Sequence, residues 1–226
     1  SELTIDGDAP ARSLGIGIRF SDDATGKFDQ VTFQNIKHSH RHLGIAVGTN
    51  KSGTPNNPTT VNLEVTNSTF ENIGRVGVNF KGSGVTGKFN DNVYTGKGDG
   101  DWLDYATDVS GGAVVEIKRN TITNITGVAQ PSGSASAGVL VTDYYGSGTD
   151  ADIEGNTFED NSVGIAIGFD ANDNSQVTIT GNTFEGNDFG ISSTQTTPVD
   201  LGPGNTFTDN GQDLDGEFDG DLPSAD

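Results

Sequence analysis

The chain has 226 residues, of which 31% are hydrophobic and 33 are Gly, with neither Cys nor Met. That apolar share is too small for a thick globular core and points to a fold that buries one narrow apolar row per turn. Thirty-two acidic against 12 basic residues leave a net charge of −20, which argues against nucleic-acid binding, and no apolar run is long enough to cross a bilayer as a helix.

With no Met and Ser1 at its start, the chain reads as a processed or excised piece of a longer protein. The surplus of Asp and scarcity of Lys suit a salty or calcium-containing medium, as for a halophile's protein or a calcium-loaded secreted one.

In chain order, one short phrase recurs. After SELTID (1–6), a segment able to pair with another domain or subunit, it opens as VTFQN at 31–35 and NSTFEN at 67–72. It continues as NDNVYTG at 90–96 and RNTITN at 119–124, and is clearest as Gly-Asn-Thr-Phe at 155–158, 181–184 and 204–207. The aligned apolar residues are Phe33, Phe70, Tyr94, Ile122, Phe158, Phe184 and Phe207, at spacings of 37, 24, 28, 36, 26 and 23 residues. Asn92, Asn120, Asn156, Asn182 and Asn205 stand two places ahead of that row. There Asn suits a left-handed corner, and stacked amides can bond along a pile.

A second phrase follows: GIAV at 44–47, GVNF at 77–80, GVLV at 138–141, GIAIGF at 164–169 and GIS at 190–192. Alternating runs such as VNLEV (61–65), VVEI (114–117) and VTIT (177–180) complete each period. Each period therefore holds three short period-two strands bounded by Gly, Asn or Asp. Strands that recur in one direction without helical crossovers pair only with their counterparts one coil above and below. The fold expected is all-β, a right-handed parallel β-helix (solenoid) of about seven coils over residues 1–212. An acidic tail or linker is expected at 213–226, where DLDGEFDGD alternates acid with non-acid.

If both phrases are fixed, insertions between them project from one edge. They are the His38-Ser39-His40-Arg41-His42 segment, KGDGDWLDY (97–105) and residues 126–137. A second series follows the Gly-Ile strands at 49–60, 107–113, 142–151 and 170–176.

Several residues in these loops can carry chemistry. In an extended segment, His38, His40 and His42 share a face and could hold a transition metal or serve an enzyme. Trp102 between Asp101 and Asp104, with Tyr105 following, has the make-up of a sugar platform, and Tyr144 and Tyr145 make a similar set; Arg41 could join as a polar contact. Oxygen ligands for Ca²⁺ could come from Asp99, Asp101 and Asp104, or from Asp170, Asn172 and Asn174.

The Asn-Thr-Phe…Asn…Gly-Ile phrasing resembles the parallel β-helix repeats of the pectate-lyase-like superfamily, over residues ~3 to ~212. The resemblance implies the fold; its members include polysaccharide lyases, hydrolases and epimerases, viral tailspikes and surface proteins. Two functions follow. One is a non-catalytic extracellular or cell-surface module of a larger secreted, cell-surface or virion protein. It would bind a polysaccharide or cell-surface glycan, adjoin other domains of a parent chain, and possess ends open to end-to-end self-association. The other is a polysaccharide lyase, epimerase or glycoside hydrolase using loops 37–42 and 97–105, with His38, His40, His42, Asp101 and Asp104 as its acids and bases.

Overall fold

The computed structural model describes residues 3–9, 12–13, 15–21, 23–37, 41–48, 60–130 and 132–223. Each Asn-Thr-Phe phrase becomes a short strand between two sharp corners. The residue ahead of the Asn and the residue behind the strand both take left-handed angles, as at Gly155 (φ 65°) and Asp160 (φ 52°), or Asn67 (φ 49°) and Asn72 (φ 58°). Gly, Asn and Asp tolerate that region best. The left-handed position thus lies one place ahead of the aligned Asn, which has a different task.

Among the described residues the chain winds through three parallel eight-stranded sheets. The first holds Leu3–Asp6, Val31–Gln34, Thr69–Glu71, Val93–Thr95, Thr121–Thr123, Thr157–Glu159, Thr183–Glu185 and Thr206–Thr208. The second holds Ile16–Phe20, Leu43–Gly48, Val76–Lys81, Tyr105–Ser110, Ala137–Thr142, Val163–Ile167, Phe189–Ser193 and Gln212–Asp215. The third holds Thr25–Asp29, Val61–Thr66, Val85–Asn90, Val114–Lys118, Asp150–Glu154, Gln176–Thr180, Val199–Leu201 and Phe218–Gly220. One strand from each, taken in order, makes one coil.

The aligned apolar row is the register of the first sheet, where Phe33 pairs with Phe70, Ile122 with Phe158, and Phe184 with Phe207. Its rings lie nearly parallel, at centroid distances of 4.7 Å for Phe33 on Phe70 and 5.1 Å for Phe158 on Phe184. The Gly of the second phrase is dictated by that row. A Cβ on Gly138 would lie 2.7 Å from the Phe158 ring, and one on Gly164 2.8 Å from the Phe184 ring, each ring belonging to the next coil. In the fourth coil the same place holds Ala106, and the next rung there is Ile122 rather than a ring.

The aligned Asn residues form a buried ladder. Asn156 Oδ1 accepts from the Asn120 amide at 2.9 Å and its Nδ2 at 2.8 Å, while Asn156 donates likewise to Asn182 Oδ1. A second ladder, Asn161 to Asn187 to Asn210, lines the opposite corner of the first-sheet strands.

Three expectations are corrected. The stack has eight coils rather than about seven, because Ile5 of Leu3–Asp6 takes the rung below Phe33, so that strand pairs on one side with its own chain. Residues 213–220 are no free tail, since Leu214 and Phe218 pack on the core and their strands close the eighth coil. Residues 107–110, assigned above to an insertion, complete the second-sheet strand Tyr105–Ser110, with buried Thr107 and Val109 inward. Polar Thr, Asp and Ser masked its alternation.

Candidate functional site: the outer face of the second sheet

Residues 97–104 and 124–136 both join the first sheet to the second, so these two predicted insertions leave one edge, and the described flanks 35–37 and 41–42 of the third lie on it. The first two are adjacent and bonded, Gln130 N donating to Asp101 Oδ1 at 2.7 Å and Val128 N to Gly100 O at 3.0 Å. Residues 35–37 and 41–42 lie two coils away, about 10 Å along the stack. His38 and His40 fall outside the described residues. His42 packs beside Gly15 and accepts the Arg75 amide on its carbonyl at 2.7 Å, and Arg41 is exposed.

These loops are built to hold themselves in place. Trp102 is not an open platform: Gly100 and Gly127 press on its indole, where a Cβ on either would come within 2.4 Å, and its Nε1 donates to Gly98 O at 3.2 Å. Asp104 is fully buried. It accepts from the Tyr94 hydroxyl and the Lys97 amide, and pairs with Lys97 Nζ at 3.1 Å. Burial, then the Asp104 charge, pushes the Tyr94 phenol well up; burial pulls Lys97 down against the opposing pull of Asp104. Asp104 is thus a corner staple rather than an open acid or cation ligand. Asp99 and Asp101 stay exposed. Among the described residues no three His, Cys, Asp or Glu side chains converge to hold a metal ion.

The opposite edge joins the second sheet to the third. Asp170, Asn172 and Asn174 lie exposed there, bonded within their own turn: Asp170 Oδ1 accepts the Asn172 amide at 2.7 Å. Tyr144 and Tyr145 are 61% and 58% exposed, and Phe169 is 45% exposed. The three rings form one edge-to-face group, Tyr144 lying 4.8 Å from Tyr145 and 5.2 Å from Phe169. Lys81 Nζ sits 3.1 Å from the centre of the Tyr145 ring.

Between the two edges runs the outer face of the second sheet. One outward column, Val76, Tyr105, Ala137 and Val163, is apolar and covered, with Leu103 packed on it. Tyr105 is therefore buried rather than open to a ligand, and burial raises its phenol to about 12. The next outward column runs Arg19, Ala46, Asn79, Asp108, Leu140, Ala166. At its lower end a depression of about 160 Å³ is lined by Arg19, Leu43, Ala46, Asn79 and Lys81.

Asp108 is the chemically unusual member. Burial pushes its carboxyl up to about 6, against pulls from Ser110, the Arg75 and Lys81 charges, and Asn79. Ser110 lies close enough to act on it, yet neither its hydroxyl nor Asp108 Oδ1 completes a hydrogen bond of sound geometry, and both atoms are buried. Sequence reasoning missed Asp108, though a lone acid alternating with Thr107 and Val109 was a legible signal.

The model of the right-handed β-helix region matches residues 16–213, most of the chain. The chain belongs to the right-handed β-helix family. Neither the curated proteins nor the solved structures contain a match. Family membership accounts for the coils, the ring row and the ladders of this β-helix; it does not assign Asp108 or the Tyr144, Tyr145 and Phe169 group, which rest on geometry alone.

Proposed function

We propose that this β-helix is an extracellular, non-catalytic glycan-binding domain whose ligand lies across the outer face of the second sheet. The observation that carries the reading is the exposed Tyr144, Tyr145 and Phe169 group at the edge of that face. Three large aromatic side chains left in water on a chain with few apolar residues are costly unless something covers them. Ring faces suit the apolar faces of pyranoses, while Asn79 and Asp108 offer polar partners for hydroxyls. Every Lys and Arg precedes residue 120, so a long polyanion would meet only acidic groups beyond the fourth coil. The groove therefore suits a neutral glycan.

Calorimetric titration with cellohexaose, xylohexaose, mannohexaose and hexagalacturonate tests this. Binding of a neutral hexasaccharide is expected, and Tyr145→Ala should weaken it about tenfold, near 1.4 kcal/mol. Absence of binding, or an unchanged affinity in Tyr145→Ala, overturns the reading.

Asp108 supports a second reading. A recessed carboxyl shifted to about 6 beside two cations suits a general acid or base. If reducing ends accumulate from any of the four oligosaccharides and Asp108→Asn abolishes this while sparing affinity, the domain is an enzyme.

A further inference from the structure

The loops that carry the aromatic group are short of secondary structure, yet they converge on one buried side chain. Asp173 is 2% exposed and sits in the turn after the sixth second-sheet strand. Its Oδ2 accepts the Thr142 hydroxyl at 3.0 Å, the Asp143 amide at 2.8 Å and the Phe169 amide at 3.2 Å. Its Oδ1 accepts the Ser175 amide at 2.9 Å, the Ser175 hydroxyl at 2.6 Å and Gln195 Nε2 at 3.2 Å. These donors come from three successive coils. Only a carboxylate offers this many acceptor sites and no donor.

The division between the two oxygens is informative. Oδ1 ties its own turn to the seventh coil. Oδ2 holds the backbone beside both aromatic loops, the Phe169 amide on one and the Asp143 amide, next to Tyr144, on the other. Thr142 extends the grip, since its Oγ1 accepts the Tyr144 amide at 3.0 Å. The 143–149 loop is then closed by Thr149 N on Asp143 Oδ1 at 3.0 Å, and Tyr145 rests on the turn at Gly111.

We propose that Asp173 is the positioning residue of the aromatic platform, one carboxylate oxygen setting the separation and tilt of Tyr144, Tyr145 and Phe169. The inference rests on the glycan-binding reading for its consequence, but its structural half stands without a ligand. Burial raises the Asp173 carboxyl, and the Ser175, Asp143 and Thr142 hydrogen bonds outweigh it, leaving the group below its ordinary value and ionised at neutral pH.

Three variants test it. Asp173→Asn turns an NH₂ toward one set of donors; Thr142→Val removes a donor from Oδ2 and the acceptor of Tyr144 N; Ser175→Ala removes a donor from Oδ1 alone. Hydrogen–deuterium exchange of the free protein should quicken at 143–149 and 168–175 in Asp173→Asn and Thr142→Val, and stay unchanged over 60–110. Affinity for the hexasaccharide that binds the wild type should fall roughly tenfold in both, and Ser175→Ala should lose stability while keeping affinity. Should Asp173→Asn not fold, Thr142→Val carries the test. Unchanged exchange in both loops overturns the proposal, as does wild-type affinity in Asp173→Asn alongside a loss in Tyr145→Ala. If nothing binds the wild type, the glycan reading fails and exchange alone decides the role of Asp173.

Discussion

Asp108 shows how one outward side chain can be set apart by its neighbours. Its carboxyl titrates near 6 when folded and near 3.9 when unfolded, so the native state binds the extra proton. The contribution of this one group to stability is therefore greatest below about pH 4, is lost as pH rises through the folded value, and stays absent above it. Asp108→Asn should remove that decline and stabilise the fold at pH 7 by roughly 2 kcal/mol in denaturant melts; an unchanged or lowered midpoint at pH 7 contradicts the assignment. Other residues were readable beforehand only in part. Tyr144 and Tyr145 are exposed as their loop composition implied, whereas Trp102 packs against Gly127 and Asp104 accepts from Tyr94, partners from outside the motif that drew attention to them. Local composition cannot report such company. Asp173 was hidden by the DxNxN pattern around it, whose alternate members face water while Asp173 turns inward.

At the scale of elements, the first-sheet strand was legible because each rung constrains the next. A ring at Phe158 demands Gly138 one coil below, and a left-handed Gly155 demands the tight corner that brings Asn156 into line. Repetition under such mutual constraint is visible in one sequence. The strand Tyr105–Ser110 lacked both signs, since its Gly is Ala106 and its outward residues are polar. The ladder makes a sharp prediction. Asn156→Ala takes from the buried Asn120 amide the acceptor that holds it, and removes one donor from the Ile117 carbonyl. It should cost about 3 kcal/mol in an equilibrium denaturant melt. A loss below about 0.5 kcal/mol, the usual range of surface changes, would mean the ladder is dispensable.

Over the whole molecule, the stack places two rows of loops along two edges of one sheet. Corner lengths read from the sequence placed 97–104 and 124–130 on one edge and 143–149 and 168–175 on the other, but took 107–110 for a loop where the chain forms a strand. The insertions at 38–40 and 49–59 fall outside the described residues. The last coil was obscured because acids dominate 213–221, although Leu214 and Phe218 supply the apolar row that closes it. Charge is divided along the axis: coils five to eight carry acids and no Lys or Arg. The depression at Asn79 and Lys81, with Asp108 on the next strand, lies near the boundary, where cations still balance the field. The central claim is that ligand covers this face and neither of the other two. Exchange footprinting with saturating neutral hexasaccharide tests it most directly. Protection is expected at 76–81, 105–110, 143–149 and 168–170. Protection confined to the outer faces of the first or third sheet would contradict the account.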